Sequence, residues 1–431
     1  MTPWAAVTDK RAGHSPMTPP FDPHMSAPVR LAIFTSHPIQ YQAPWFRALA
    51  LVPELELKVF FSYLPDATRQ GVGFGKAFEW DVPLLEGYAW QNFEELELQL
   101  GSRKLLNGAV QGLDSFFQSF KPDVALILGW HHPSLVQALL MCRMKGVPIV
   151  LRGESNNLRR RPVLVRLAHR LLFAQCDAFL AIGEANAALY RSAGVAKDKI
   201  FMARYFVDND FFARQYAKLH LDRKTLRAEF NIAQDSTCFC FVGKLEPKKR
   251  VTDFVAAFRN AFEKDSAISA LIVGSGEMEG MAKAAAHGLP IAFAGFLNQS
   301  EISKAYACAD VLVLPSDYGE TWGLVVNEAM VCGLPAVVSE RVGCAHDLTR
   351  DEETGFVCRF GDIEDMAAIM VLLSTQPALR RALGDRARTL VMSEYTITRA
   401  VRETLAVVRA CKVRHDNSRT ADGDFHPSYR P

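Results

Sequence analysis

The chain has 431 residues, of which 49% are hydrophobic and 22% charged, so it is large and apolar enough for two folded domains and is not a disordered chain. Its 49 lysines and arginines nearly balance 47 aspartates and glutamates, giving a formal net charge of +2, which leaves no global field to attract nucleic acid. No stretch has the about 18 uncharged apolar residues of a membrane span, and the N-terminus has no signal-peptide pattern.

Residues 1–28 are rich in proline and small polar residues, which predicts a disordered N-terminal extension. An apolar segment at 29–38 and the helical spacing of QAPWFRALA predict a first strand and helix. Further strands are predicted at 55–61, 123–130, 147–153 and 176–183. Apolar strands that alternate with amphipathic helices predict a parallel sheet covered on both faces.

A second series of strands and helices follows a charged, aperiodic stretch near 214–236. Its strands are predicted at 237–245, 269–276, 291–296, 310–316 and 335–340. The predicted fold class is therefore α/β, with two doubly wound, Rossmann-like domains at 29–210 and 211–400 that face a central cleft, and with 401–431 as a helix end and loose tail. Ligands of such sheets bind beyond the carboxyl ends of the strands, so the strand-to-helix loops are the first candidates for chemistry.

The nine cysteines are odd in number, form no C-x-x-C pair and lie mostly in apolar segments. This usage predicts reduced, buried thiols instead of disulfide bonds or a zinc site. We therefore expect a cytoplasmic protein.

Residues 315–335 place two carboxylates around the start of one helix. Glu320 lies in the loop after a predicted strand and Glu328 in the following helix, while Gly319 and Gly323 allow close approach to the helix start. Helix amides can hold a diphosphate, and carboxylates can accept hydrogen bonds from sugar or ribose hydroxyls. The alternative is that both glutamates only favour the helix dipole.

Two further loops are candidates for binding phosphate. The strand that ends at Gly243 is followed by a run of cations, namely Lys244, Lys248, Lys249 and Arg250. Such a loop at the carboxyl edge of a sheet can clamp phosphate, although basic loops are commonly only solvated. Gly274 and Gly276 follow the next strand without the third glycine of the dinucleotide fingerprint, which disfavours NAD binding.

With these motifs in this order, the chain resembles the retaining glycosyltransferases of family 4, also called group 1, over roughly residues 29–400. The E-x7-E motif is matched by Glu320 and Glu328, and the G-[RK]-L-x-x-x-K segment by Lys244 and Lys249. The resemblance implies the GT-B architecture and transfer of a hexose from a nucleotide diphosphate sugar to a glycan or lipid-linked acceptor, in bacterial surface polysaccharide synthesis.

The resemblance also implies roles for single residues. Lys244 and Lys249 would bind the donor diphosphate and stabilise the leaving group, Glu328 would hold the ribose and Glu320 the transferred sugar. Other predicted substrate-binding residues are Gly243, Gly274, Gly276, Gly319, Thr321, Trp322 and Gly323. Two other functions stay open, a GT-B-fold sugar-nucleotide epimerase and a non-catalytic nucleotide-sugar-binding subunit.

No metal or other cofactor is expected. The Asp208-Asn209-Asp210 triplet has the D-x-D form that binds a nucleotide-bound cation in another glycosyltransferase fold, but it resembles the interdomain turn of family 4. Tyr205 and Phe206 replace the Asn-Gly of that turn.

Three histidines are candidates on the acceptor side. His37 follows the first strand with Gln40 and Tyr41, and the alternative is a helix entry with Pro44 in its first turn. His131 and His132 follow another strand and resemble the cleft histidine of the family that orients the reacting sugar. Which of the two faces the cleft stays open, as does a purely structural hydrogen bond.

Residues 158–173 predict a basic amphipathic helix. Val163, Leu164, Leu167 and Leu171 form one stripe, surrounded by Arg159, Arg160, Arg161, Arg166 and Arg170. This pattern is typical of a helix on an anionic membrane surface, which would bring the enzyme to a lipid-linked acceptor at the inner face of the membrane. The alternative is that the stripe packs against the sheet.

Overall fold

Two parallel β-sheets form the framework of the protein. The computed structural model describes residues 27–94, 99–100, 103–104 and 108–423. The predicted extension at 1–28 lies outside the described residues except for its last two positions.

The N-terminal half contains a seven-stranded parallel sheet of order β3-β2-β1-β6-β7-β8-β9. The central strand of this sheet, β6, is apolar along its whole length and all five of its residues are buried, as expected for a sheet covered on both faces. The strands are β1 Val29–Thr35, β2 Leu55–Phe61, β3 Trp90–Asn92, β4 Gln99–Leu100, β5 Arg103–Lys104, β6 Val124–Leu128, β7 Ile149–Arg152, β8 Ala178–Ala181 and β9 Ile200–Met202, with β4 and β5 paired separately. The helices are α1 Ala43–Ala50, α2 Ala67–Gln70, α3 Leu113–Phe120, α4 Pro133–Lys145, α5 Val163–Phe173 and α6 Glu184–Ser192.

The C-terminal half contains a six-stranded parallel sheet of order β12-β11-β10-β13-β14-β15. Its strands are β10 Thr237–Val242, β11 Ile268–Val273, β12 Ile291–Gly295, β13 Val311–Leu314, β14 Ala336–Ser339 and β15 Gly355–Cys358. The helices are α7 Asn209–His220, α8 Arg223–Glu229, α9 Val251–Lys264, α10 Glu279–Ala285, α11 Ile302–Cys308, α12 Leu324–Val331, α13 Ala345–Leu348, α14 Ile363–Thr375, α15 Pro377–Glu394 and α16 Ile397–Gly423, and short 3₁₀ helices span Lys197–Lys199 and Pro247–Lys249.

The predicted class, two doubly wound α/β units, is confirmed. The stretch near 214–236 was expected to be aperiodic, but helices α7 and α8 occupy much of it. Helix α7 starts at the Asp208 triplet: the Asp208 carboxylate caps the helix by accepting a hydrogen bond from the Phe211 amide at 2.9 Å. The buried Asn209 amide donates to the carbonyl of Val391 at 3.0 Å. These contacts are structural.

The last helix, α16, crosses back to the N-terminal sheet. Val407, Val408 and Cys411 are buried in one core with residues of β1 and α1. The Lys412 ammonium lies 3.2 Å from the Asp123 carboxylate. Within the predicted helix end and loose tail at 401–431, the described residues are helical as far as Gly423. All nine cysteines are buried, free thiols, as predicted.

Hydrogen bonds join the two halves at the carboxyl edges of their sheets. The Asn156 side chain donates to the Thr321 carbonyl at 3.0 Å, and the Glu184 amide donates to the Asp347 carboxylate at 3.0 Å. The two edges consequently face each other across a cleft.

The second sheet begins beside a buried cation, Arg227 of α8. Its side chain is 3% exposed and donates to the Asp310 carboxylate at 2.7 Å. It also donates to four backbone carbonyls, those of Ala233, Gln234, Ser236 and Cys308. Asp310 in turn accepts from the Cys238 amide of β10 at 2.9 Å.

We predict that Arg227→Ala lowers the free energy of unfolding by about 3 kcal/mol or more, because it leaves buried acceptors without their donor. Chemical denaturation measures this change. Arg402→Ala is the matched control: Arg402 is 67% exposed and forms an ion pair with its neighbour Glu403, so a change within about 0.5 kcal/mol is expected. Equal effects of the two substitutions would contradict the prediction.

Candidate functional site

Three loops of the C-terminal sheet converge at one edge. Strand β10 lies between β11 and β13, so the loops after these strands are neighbours. Gly243 and Lys244 follow β10, Gly274 and Gly276 follow β11, and Glu320 precedes α12. The predicted phosphate-binding and acidic segments thus lie together, as the topology rule for parallel sheets requires.

Two of these loops pack backbone to backbone. Gly274 has φ +126°, and a Cβ added there would lie 1.9 Å from the Gly243 carbonyl oxygen. Gly276 has φ +152°, and a Cβ would lie 2.7 Å from the Leu245 carbonyl oxygen. A side chain at either position would separate the loops, which explains the glycines. Gly319 and Gly323 lie in the Glu320 loop, and Gly323 leads into α12.

A partly buried ion pair joins the basic and acidic loops. The Lys249 ammonium donates to the Glu320 carboxylate, and these side chains are only 13% and 14% exposed. Glu328, which lies eight positions later in α12, is partly buried and accepts a hydrogen bond from the Tyr306 hydroxyl at 2.6 Å. Burial raises the pKa of Glu328 to about 7, opposed by the Tyr306 hydrogen bond and the Lys249 charge. One cation and two carboxylates therefore form a single cluster.

Lys244 is covered by a strap from the N-terminal half, which we define as residues 71–81. Its ammonium donates to the Val72 carbonyl at 2.7 Å and lies 4.7 Å from the centre of the Phe74 ring. Burial lowers the pKa of Lys244. Ser275, between the two loop glycines, donates to the Phe74 carbonyl at 2.6 Å. The strap thus contacts two of the loops predicted to hold phosphate.

A cleft of about 1060 Å³ opens between the two halves. His37, His131 and His132 line its N-terminal side, and Lys244 and Thr321 line its C-terminal side. The cluster of Lys249, Glu320 and Glu328 is not part of this lining. Both neighbouring histidines therefore reach the cleft, where the sequence left the choice between them open.

Hydrogen bonds orient two of these imidazoles. His37 Nδ1 lies 2.9 Å from the Ser36 hydroxyl and 3.2 Å from the Tyr63 hydroxyl. Burial and the neighbouring His131 and His132 lower the pKa of His37 to about 4, so it is neutral at pH 7. His132 Nδ1 lies 2.7 Å from the Ser134 hydroxyl.

Trp322 lies in the interdomain core instead of the cleft. Its indole N–H donates to the Asn327 side chain at 2.9 Å. A Cβ added at Gly183 would lie 2.3 Å from its ring. The contacts of Trp322 are thus structural and support the Glu320 loop.

Two residues that line the cleft and one that contacts them were not predicted as site residues from the sequence. Arg152 ends β7, Glu154 follows it by two positions, and both line the cleft. The sequence did indicate Arg152 and Glu154, because both lie at the carboxyl end of a predicted strand. Tyr205, noted only as a departure from the family turn, donates a hydrogen bond to Glu154.

Comparison with known proteins agrees with this geometry. Residues 222–390 match the family model of glycosyl transferases group 1. This part of the chain is a group 1 glycosyl transferase domain. Curated relatives include the sulfoquinovosyl transferase SQD2 of Arabidopsis thaliana, 28% identical over 291 residues that cover 62% of this chain and 53% of that protein. The lipopolysaccharide 1,2-N-acetylglucosaminetransferase of Salmonella typhimurium is 27% identical over 205 residues, 44% of this chain and 52% of that protein.

The chain spans about half the length of these curated relatives. Solved structures resemble this chain over nearly its full length. A sucrose-phosphate synthase from Thermosynechococcus elongatus has a TM-score of 0.68 at 17% identity, covering 90% of this chain and 100% of that one. Anabaena HepE in complex with UDP and glucose has a TM-score of 0.65 at 14% identity, covering 88% and 99%. These neighbours establish the GT-B fold.

We predict that Glu328→Gln stabilises the protein at neutral and alkaline pH. Folding raises the pKa of Glu328 from 4.5 to about 7, so this carboxyl ionises at lower pH in the unfolded chain than in the folded one. Wild type therefore loses stability relative to the variant as pH rises from about 4.5 to 7. The difference reaches about 3 kcal/mol above pH 7, the equivalent of that pKa difference.

Urea denaturation of both proteins between pH 4.5 and 8 measures this difference. Glu364→Gln, at a side chain that is 71% exposed, is the control and is expected to follow wild type. A Glu328→Gln difference that is the same at every pH would show that burial of the charge is not its cause.

Proposed function

We propose that this protein transfers a hexose from a nucleotide diphosphate sugar to an acceptor bound in the cleft, with retention of anomeric configuration. The observation that carries this proposal is the cluster in which Lys249 pairs with Glu320 beside the partly buried Glu328. Relatives named as glycosyltransferases, and HepE solved with UDP-glucose, support the same donor class. The proposed setting is assembly of a bacterial surface polysaccharide.

The cluster and Lys244 fit the charges of such a reaction. When the bond between the sugar and the phosphate breaks, its electron pair moves to the phosphate oxygen and positive charge develops on the sugar ring. Lys249 and Lys244 would stabilise the diphosphate, Glu320 would bind hydroxyls of the sugar, and Glu328 would bind those of the ribose. The acceptor oxygen forms the new bond, and its proton passes to the departing phosphate. This proposal needs no metal.

We predict that Lys249→Ala lowers turnover at least about 10²-fold, the effect of removing one preorganised donor from a developing negative charge. Release of nucleoside diphosphate from UDP-, GDP-, ADP- and dTDP-sugars measures turnover. A thermal-shift screen of the same compounds identifies the donor, since a ligand raises apparent stability by mass action.

Lys264→Ala is the matched control, because Lys264 is 54% exposed on α9, and we expect it to leave turnover unchanged. Near-wild-type turnover of Lys249→Ala would rule out the proposed site. Conversion of the nucleotide sugar into its isomer without an acceptor would favour an epimerase.

The proposal includes a membrane-linked acceptor reached through helix α5. The apolar stripe of α5 does not pack against the sheet: Val163, Leu164, Leu167 and Leu171 are 74%, 79%, 52% and 63% exposed. Phe173 is the buried residue of the helix. An exposed apolar stripe among arginines suits the interface of an anionic bilayer. Among the described residues, no helix is long and apolar enough to cross a membrane.

The start of α5 is also connected to the cleft. Arg161 donates to the Asn156 carbonyl at 2.6 Å, and Asn156 binds the Thr321 carbonyl. A bilayer that holds α5 would therefore lie near the acceptor side of the cleft. Arg161 has this internal role, so the exposed Arg159, Arg160, Arg166 and Arg170 are the better residues for a test.

We predict that Arg159→Glu/Arg160→Glu/Arg166→Glu reduces co-sedimentation with phosphatidylglycerol-containing liposomes at least about 10-fold, because each basic residue near an anionic surface contributes about 1 kcal/mol. Leu164→Ser/Leu167→Ser is expected to weaken binding as well. Arg381→Glu/Arg386→Glu/Arg388→Glu, at exposed positions of α15, makes the same change in total charge and is the control. Unchanged binding of both α5 variants would remove the membrane proposal and leave the transferase proposal standing.

A further inference from the structure

We propose that Glu154 is a catalytic residue of the transfer reaction and that Tyr205 positions it. This inference rests on the proposed function and adds a carboxylate from the N-terminal half to the site. Glu154 would accept a hydrogen bond from a hydroxyl of the transferred sugar, and its charge would stabilise the positive charge that develops on the sugar ring.

Glu154 lies in the wall of the cleft. It follows β7 at the carboxyl edge of the N-terminal sheet, next to the β6 edge that carries His131 and His132. Among the cleft-lining residues in the described part of the chain, Glu154 is the only carboxylate. Glu154 is therefore the residue of this lining that can offer a negative charge to a positively charged sugar ring.

The backbone that presents Glu154 is closely packed. The Gly153 amide donates to the Tyr190 hydroxyl at 3.0 Å. A Cβ added at Gly153 would lie 2.1 Å from the Trp130 ring. Glu154 is thus held by a rigid segment, as positioning of a reacting group requires.

Tyr205 links the carboxylate to the acidic cluster of the other half. The buried Tyr205 hydroxyl donates to Glu154 Oε1. The Tyr205 carbonyl accepts from the Asn327 side chain at 3.1 Å, and Asn327 precedes Glu328 in α12. On the other side, Asn156 binds the carbonyl of Thr321, the residue after Glu320. The Glu154 loop is thereby connected to both acids of the E-x7-E motif.

Tyr41 lies beside Tyr205, the hydrogen-bond partner of Glu154: their ring centroids are 5.6 Å apart, and Tyr41 lines the cleft. The Glu154 loop is also hydrogen-bonded to the residue after Glu320. A sugar that extends from the Lys249–Glu320 pair toward the acceptor would therefore come between a carboxylate of each half. Negative charge on the side away from the diphosphate favours separation of charge in the transition state.

The key variant is Glu154→Gln, which keeps an oxygen for the Tyr205 hydrogen bond and removes the charge. We predict that it lowers release of nucleoside diphosphate from the UDP-, GDP-, ADP- and dTDP-sugar panel about 10²-fold, while the thermal shift caused by the same compounds is unchanged. Glu56→Gln, an exposed glutamate of β2, is the matched control and is expected to behave as wild type. Wild-type turnover of Glu154→Gln would overturn the proposal.

Two further variants separate catalysis from structure. In Glu154→Ala, added formate is expected to restore part of the turnover, whereas chloride is not; absence of rescue would indicate a structural residue. Tyr205→Phe is expected to lower kcat about 10-fold with little change in the KM for the donor. A lower melting temperature with normal kcat would show that Tyr205 only supports the fold.

These experiments distinguish failure of the Glu154 proposal from failure of the proposed function. If wild type turns over a donor and Lys249→Ala does not, the transferase proposal holds, and a fully active Glu154→Gln removes only the role of Glu154. If wild type releases no nucleoside diphosphate from any donor or acceptor tested, both proposals fail.

Discussion

The contact between Lys249 and Glu320 is the interaction on which the site depends, because it joins loops that are 71 positions apart in the chain. Both side chains are largely removed from water, and a partly buried charge is tolerated only when it is compensated. The basic loop, the acidic loop and the start of α12 are therefore held in one arrangement. Glu328, which is partly buried in α12, has a pKa of about 7 because desolvation disfavours its charged form.

The fold could be predicted to a large extent from the sequence. Strands such as β6 and β11 are apolar and buried along their whole length, so they stand out from the amphipathic helices around them. The lysine and E-x7-E segments were also identified, since they follow two strands of the second sheet, β10 and β13. Convergence of the loops then follows from the parallel strand order.

The features that the sequence did not predict depend on partners that are distant along the chain. An apolar stripe on α5 looks the same whether it packs on a sheet or faces solvent, so only the structure shows Leu164 to be exposed. Trp322 was expected at the substrate because it lies in the acidic motif, but its ring packs at Gly183. Helix α16 continues beyond a polar segment because Lys412 binds Asp123 of the other half.

The strap has an energetic consequence for any anion that approaches the glycine loops. Lys244 already donates to a neutral peptide oxygen, that of Val72, so an arriving diphosphate replaces one acceptor with another. The net gain is the difference between a charge-assisted and an ordinary hydrogen bond, and is smaller than that of a solvent-exposed ammonium meeting its first partner. Lys244 therefore prefers ligands with concentrated negative charge. A neutral sugar is disfavoured, because its hydroxyls are no stronger acceptors than the peptide carbonyl that it would displace.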